Sequence, residues 1–155
     1  MFSRLAFSTL LISICSIAVL ATNSVRADVV QGYGIDNSEN LYLINLQTAS
    51  TTYIGNTGVF LEGLALSHSG NLYGSGHNGN LYVIDRSSGA STLIGYTGYK
   101  DIEGLHFNGS KLLGAPSFLY PEIISIDKSN ASSSLILTSP QISGGATAIL
   151  TFRQI

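Results

Sequence analysis

An all-β fold of about three repeated four-stranded sheets is what this sequence predicts, and three observations predict it. Short motifs recur in one order at a spacing of about 40 residues. Hydrophobic residues make up 45% of the chain, charged residues only 10%, and there are 17 glycines, a balance suited to short strands and tight turns rather than disorder. Beyond the N-terminal leader no segment has a helical period or a capping pattern ahead of an apolar stripe.

The repeat is carried by several motifs at once. Leu41-Tyr42-Leu43-Ile44-Asn45 returns as Leu81-Tyr82-Val83-Ile84-Asp85 and again as Ile123-Ile124-Ser125-Ile126-Asp127. Tyr53-Ile54-Gly55-Asn56-Thr57-Gly58 returns as Leu93-Ile94-Gly95-Tyr96-Thr97-Gly98, and Glu62-Gly63-Leu64 as Glu103-Gly104-Leu105. Ser69-Gly70-Asn71-Leu72-Tyr73-Gly74 is matched by Gly109-Ser110-Lys111-Leu112-Leu113-Gly114.

The middle unit shows how each repeat makes four strands. Gly63 to Ser67 is an apolar run of strand length, and Ser69-Gly70 turns the chain into Asn71 to Ser75. His77-Asn78-Gly79 is a turn whose Asn-Gly pair favours positive φ. Asn80 to Arg86 alternates, with Leu81, Val83 and Asp85 on one face and Tyr82, Ile84 and Arg86 on the other. Ser87-Ser88-Gly89 then leads into Ala90 to Gly95. The first unit begins one strand late, with Val29 to Gly34, Leu41 to Leu46 and Thr51 to Ile54. Ala146 to Phe152 reads as a closing strand of the missing kind, able to complete that first sheet.

Over Val30 to Thr138 these repeats resemble the blades of secreted β-propellers, the NHL and lactonase-like families among them. The resemblance implies sheets set radially, inner strands lining a central channel, and the loops between first-last and second-third strands sharing one face. Propellers close with four to eight blades, so three imply a partial propeller or a half-propeller completed by a homodimer into a six-bladed ring. A β-trefoil has the same number of units and stays open as the alternative. Its usual Gln-x-Trp signature is absent and the chain has no Trp, so the motifs favour blades.

Residues 1–27 read as a secretory signal peptide and 28–155 as the repeat domain. Arg4 supplies the positive start, Leu5 to Ala21 is nearly unbroken apolar sequence, and Val25-Arg26-Ala27 places small residues where cleavage needs them. The expected location is therefore secreted, periplasmic or cell-envelope, with no membrane association after cleavage. The one cysteine, Cys15, lies in this leader, which excludes disulfides, thiolate metal ligands and cysteine nucleophiles from the mature chain. The net charge of -2, without a basic cluster, argues against nucleic acid as a partner.

Candidate ligand-binding residues are those the propeller reading gathers on one loop face: Glu62, His77, Asn78, Asp101 and Glu103, with Tyr99 and Tyr120 as aromatic surfaces for stacking on sugar rings. Glu62 and Glu103 hold equivalent repeat positions, and a consensus residue bonding to backbone amides is the reading weighed against a site. His68 and His106, like His77, lack the spacing of a helical metal pair. The residues themselves specify no metal site and no cofactor. Calcium is the one ion the resemblance implies, because lactonase-like propellers bind a central metal through a Glu in a similar Glu-Gly context. Asp36 to Asn40 reads as a polar hairpin turn rather than a calcium loop, lacking the central Gly and distant Glu. Asp85 and Asp127 are expected to cap their turns. No Gly-x-Ser-x-Gly elbow or phosphate loop is present. The leading function is thus an exported, non-enzymatic binding module for protein or glycan. A metal-dependent lactonase- or hydrolase-like enzyme and a truncated propeller without a function of its own remain the alternatives.

Overall fold

The computed structural model describes residues 31–116 and 122–138. The signal peptide, the closing strand at Ala146 to Phe152, and Tyr120 lie outside the described residues. All regular structure among those described is β. The first sheet holds β1 (Gln31–Ile35), β2 (Asn40–Asn45) and β3 (Thr51–Asn56). The second holds β4 (Leu61–Leu66), β5 (Leu72–Gly76), β6 (Asn80–Ile84) and β7 (Ser91–Tyr96). The third holds β8 (Ile102–Asn108), β9 (Lys111–Pro116), β10 (Glu122–Ile126) and β11 (Ser133–Thr138). Each sheet is an antiparallel meander in chain order, and no ladder joins one sheet to another among the described residues. The first strands of the two complete sheets, β4 and β8, pack against each other, and β1 lies beside β4. Separate meanders whose inner strands adjoin form a partial propeller of three blades; a trefoil would instead pair strands of different units into a barrel.

The strands fall within one or two residues of the sequence reading, and the burial explains the motifs. Both faces of β6 are covered because its blade is sandwiched. Leu81 enters the core between the second and third blades with Ala65, Tyr73, Ile102, Leu112, Ile124 and Ala131. Tyr82 and Ile84 enter the core between the first and second, with Leu41, Leu61 and Leu72. Leu41, Leu72, Leu81, Ile102, Leu112 and Ile124 are essentially fully buried, and each such side chain contributes about 2 kcal/mol by leaving water. Arg86 ties the first two blades at the rim, donating from Nε to the Tyr33 hydroxyl at 2.7 Å and from its guanidinium to the Gly70 carbonyl at 2.9 Å.

The repeated Ile-Gly pair of the fourth strand has a packing cause. A Cβ on Gly55 would lie 1.8 Å from the Ser88 carbonyl oxygen, and one on Gly95 would lie 2.7 Å from that of Asn130. The outer strand of the first and of the second blade thus presses against the last turn of the next, and only a bare backbone admits the contact. The turns are held as expected. Asp36 accepts from the amides of Ser38 and Asn40, both at 2.9 Å, closing the β1–β2 hairpin. Asp85 accepts from the Ser87 amide at 2.7 Å and Asp127 from the Ser129 amide at 2.8 Å. At the Asn-Gly turn, Gly79 alone takes positive φ, and its amide donates to the Gly76 carbonyl at 2.8 Å.

Candidate functional site

The meander sets the rule for what can meet. The β5–β6 turn and the β7–β8 connection fall at the same end of the blades, together with the start of β4. Glu62 stands at a bulge near that start, where the β4–β5 register steps between Leu61 and Gly63. A bulge leaves one residue unpaired and re-aims its side chain. His77 is in the β5–β6 turn, its amide donating to the Phe60 carbonyl at 3.3 Å and its ring edge-on to Phe60 at 6.2 Å between centroids. Asp101 directly precedes β8 with φ of 51°, a left-handed conformation that Asp tolerates better than most residues. Its amide donates to the His77 carbonyl at 3.4 Å.

These three side chains converge. His77 Nδ1 lies 2.9 Å from Glu62 Oε1 and 2.8 Å from Asp101 Oδ1, with the His77 side chain 66% exposed and those of Glu62 and Asp101 at 19% and 31%. The imidazole Nδ1 carries at most one hydrogen and so donates to one carboxylate at a time, and Glu62 Oε1 is its hydrogen-bond partner. Asp101 Oδ1 is close by charge but receives no hydrogen bond, and Glu62 Oε2 is likewise buried without a donor. The hydrogen bond to Glu62, followed by the charges of Asp101 and Glu62, raises the His77 pKa above its ordinary 6.5, with Lys100 acting in the opposite sense.

The other predicted residues are placed differently. Asn78 closes its own turn, Oδ1 accepting from the Asn80 amide at 3.1 Å and Nδ2 lying 3.3 Å from the Tyr82 hydroxyl. Glu103 occupies the matching bulge of β8, outside the Glu62–His77–Asp101 cluster. Tyr99 packs its half-buried ring against the core between the second and third blades. Tyr96, more than half exposed, flanks the turn at Gly79. A groove of about 920 Å³ is at the other end of the blades, where Leu66, His68, Phe107 and Lys128 line it.

Sequence reasoning missed the residues that hold this site in place. Thr97, 2% exposed, reaches with its hydroxyl to the Gly79 carbonyl at 2.8 Å and the Tyr99 carbonyl at 3.0 Å. It thereby fastens the connection bearing Asp101 to the turn bearing His77. Ser133 donates to the Thr97 carbonyl at 2.6 Å from β11. Thr57 makes the same clamp in the first blade, to Glu39 at 3.1 Å and Val59 at 2.8 Å. The signal was present in the repeated Thr-Gly pair after the fourth strand.

No protein-family model matches the chain, and no curated protein matches it. Among the solved structures that the chain is similar to are the following two. One is BamB from Moraxella catarrhalis, with a TM-score of 0.49 and 12% identity over 68% of this chain and 32% of that one. The other is a putative 6-phosphogluconolactonase from Bacteroides fragilis, with a TM-score of 0.45 and 19% identity over 69% of this chain and 35% of that one. The chain thus spans about a third of the length of each.

Proposed function

We propose that this chain is an exported binding module whose ligand, a protein or a glycan, is taken at the end of the blades where Glu62, His77 and Asp101 converge. The observation that supports this reading most is that convergence: an exposed imidazole held over two carboxylates drawn from three different elements. Its neighbours suit recognition, since Tyr96 offers an exposed ring beside the turn and Asn78 lies at the same rim. The polar groups sit on rigid supports, a strand bulge and a turn clamped by Thr97, which limits the ordering cost of binding.

A homodimer that completes a six-bladed ring belongs to the same proposal. Its support is the first sheet, which among the described residues holds three strands where the other two hold four, so that β1 has no strand beside it in the place that β4 and β8 take in the complete sheets. Light scattering of the folded chain would give twice the monomer mass; a folded monomer at micromolar concentration removes the ring.

The ligand face is tested by photocrosslinking in the cells that make the protein. A photoreactive residue at position 78 should trap a defined partner, with an identical probe at position 110 on the other end as the comparison. A glycan array run in parallel separates the two ligand classes. Trapping from position 110 alone, with no glycan bound, would overturn the assignment of this face.

A further inference from the structure

We propose that Glu62, His77 and Asp101 form a site for a borderline divalent transition metal such as zinc, and not for the calcium ion that the propeller resemblance implies. The inference concerns the chemistry of three side chains and stands whether or not this face binds a partner.

The donor set decides between the ions. Calcium takes six to eight oxygen ligands, typically carboxylates, carbonyls and water. Here the atom nearest to both carboxylates is an imidazole nitrogen, the Nδ1 of His77. Nitrogen with carboxylate oxygen is the ligand mixture of zinc and its first-row neighbours. The spacing fits as well. One atom from each of the three residues lies within 4.8 Å of the others. Bonds of about 2.1 Å at the tetrahedral angle put neighbouring donors about 3.4 Å apart, which Glu62 and Asp101, now 2.9 Å and 2.8 Å from Nδ1, reach by opening about half an ångström.

Hydrogen bonding alone leaves this cluster unsatisfied. A proton on Nδ1 points at one acceptor, yet two carboxylates are held against it, and the buried Glu62 Oε2 and Asp101 Oδ1 have no donor. Buried carboxylate oxygens without a partner are costly. A cation in place of that proton is bound by all three residues at once, since it accepts electron pairs from several directions. Two carboxylates and a neutral imidazole balance the charge of a divalent ion. The exposed side of His77 leaves coordination positions for water or for a donor from a bound molecule, the open arrangement of three protein ligands.

The test uses the full chain without a histidine tag, stripped by chelator and titrated calorimetrically with zinc chloride and separately with calcium chloride. Zinc should bind with one-to-one stoichiometry and raise the thermal unfolding temperature, and cobalt(II) should give a visible absorption band of a nitrogen- and oxygen-ligated ion. Calcium should bind more weakly than zinc. His77→Ala should lower zinc affinity by more than the roughly tenfold that loss of even an outer-shell partner costs. His68→Ala should leave it unchanged. His77 is exposed, so its removal leaves the fold intact; Asp101→Asn gives a second variant of nearly the same shape and should weaken zinc in the same way. Calcium bound more tightly than zinc, zinc bound equally by His77→Ala, or no stoichiometric zinc binding would each overturn the proposal.

Discussion

The hydroxyl of Ser75, on the second strand of the middle blade, donates a 2.6 Å hydrogen bond to the carbonyl of Ile102, the first residue of the next blade's inner strand. Ser75 is fully buried, and Ile102 beside it is fully buried too. The bond locks two sheets that share no backbone ladder, and it fixes where β8 begins, one residue after Asp101.

Ser75→Ala should therefore destabilise the chain by about 1–3 kcal/mol, because a buried carbonyl loses its donor. Urea unfolding read by circular dichroism measures this. A variant as stable as the parent would show that the Ile102 carbonyl finds water instead.

The blade seam makes a sharper prediction at glycine. Gly55→Ala drives a Cβ into the backbone of Ser88, where no side chain can swing aside, and should cost at least the roughly 1–3 kcal/mol of core overpacking. Gly58→Ala is the comparison: its φ is 68°, but nothing lies within 4 Å of the added atom. It should cost only about 1–2 kcal/mol, the strain of a left-handed alanine. Equal losses at the two positions would mean that the blades part readily.

Thr97→Val keeps shape and burial and deletes only the hydroxyl bridging the two loops. Stability should fall by about 1 kcal/mol. The more telling readout is the His77 ring, whose NMR signals should broaden or shift as the Asp101 connection loosens. Unchanged signals would show that the backbone amides hold the loop unaided.

Acid should weaken the turns in a defined window. Asp36, Asp85 and Asp127 titrate below the ordinary 3.8 in the folded chain. The leading causes are the Asn40 amide for Asp36, the Ser87 hydroxyl for Asp85 and the Ser129 hydroxyl for Asp127. Each folded value is depressed, so the unfolded chain binds more protons near pH 4. The stabilisation is full above about 3.8 and disappears as pH falls through the folded values. The urea midpoint should drop steadily below pH 4, and replacing all three by Asn should flatten that drop. An unaltered slope in the triple variant would place the acid sensitivity elsewhere.

The sequence by itself determined the eleven strands between Gln31 and Thr138, their turns and the blade-like unit. These depend on neighbours along the chain: alternating apolar residues, Gly at positive φ, and Asp bonding to amides two residues on. It also placed Glu62, His77 and Asp101 on one face, because a meander puts alternate connections at the same end. Only the tertiary structure decided that these three touch, since that depends on a bulge at Glu62 and a left-handed turn at Asp101. The structure alone also revealed why Ile-Gly and Thr-Gly repeat. Their partners, Ser88 and Asn130 for the glycines and Glu39 and Gly79 for the threonines, are distant in sequence. Repeat statistics show that such a residue recurs; the packing of one blade on the next supplies the cause for the glycines, and the tying of two loops within a blade supplies it for the threonines.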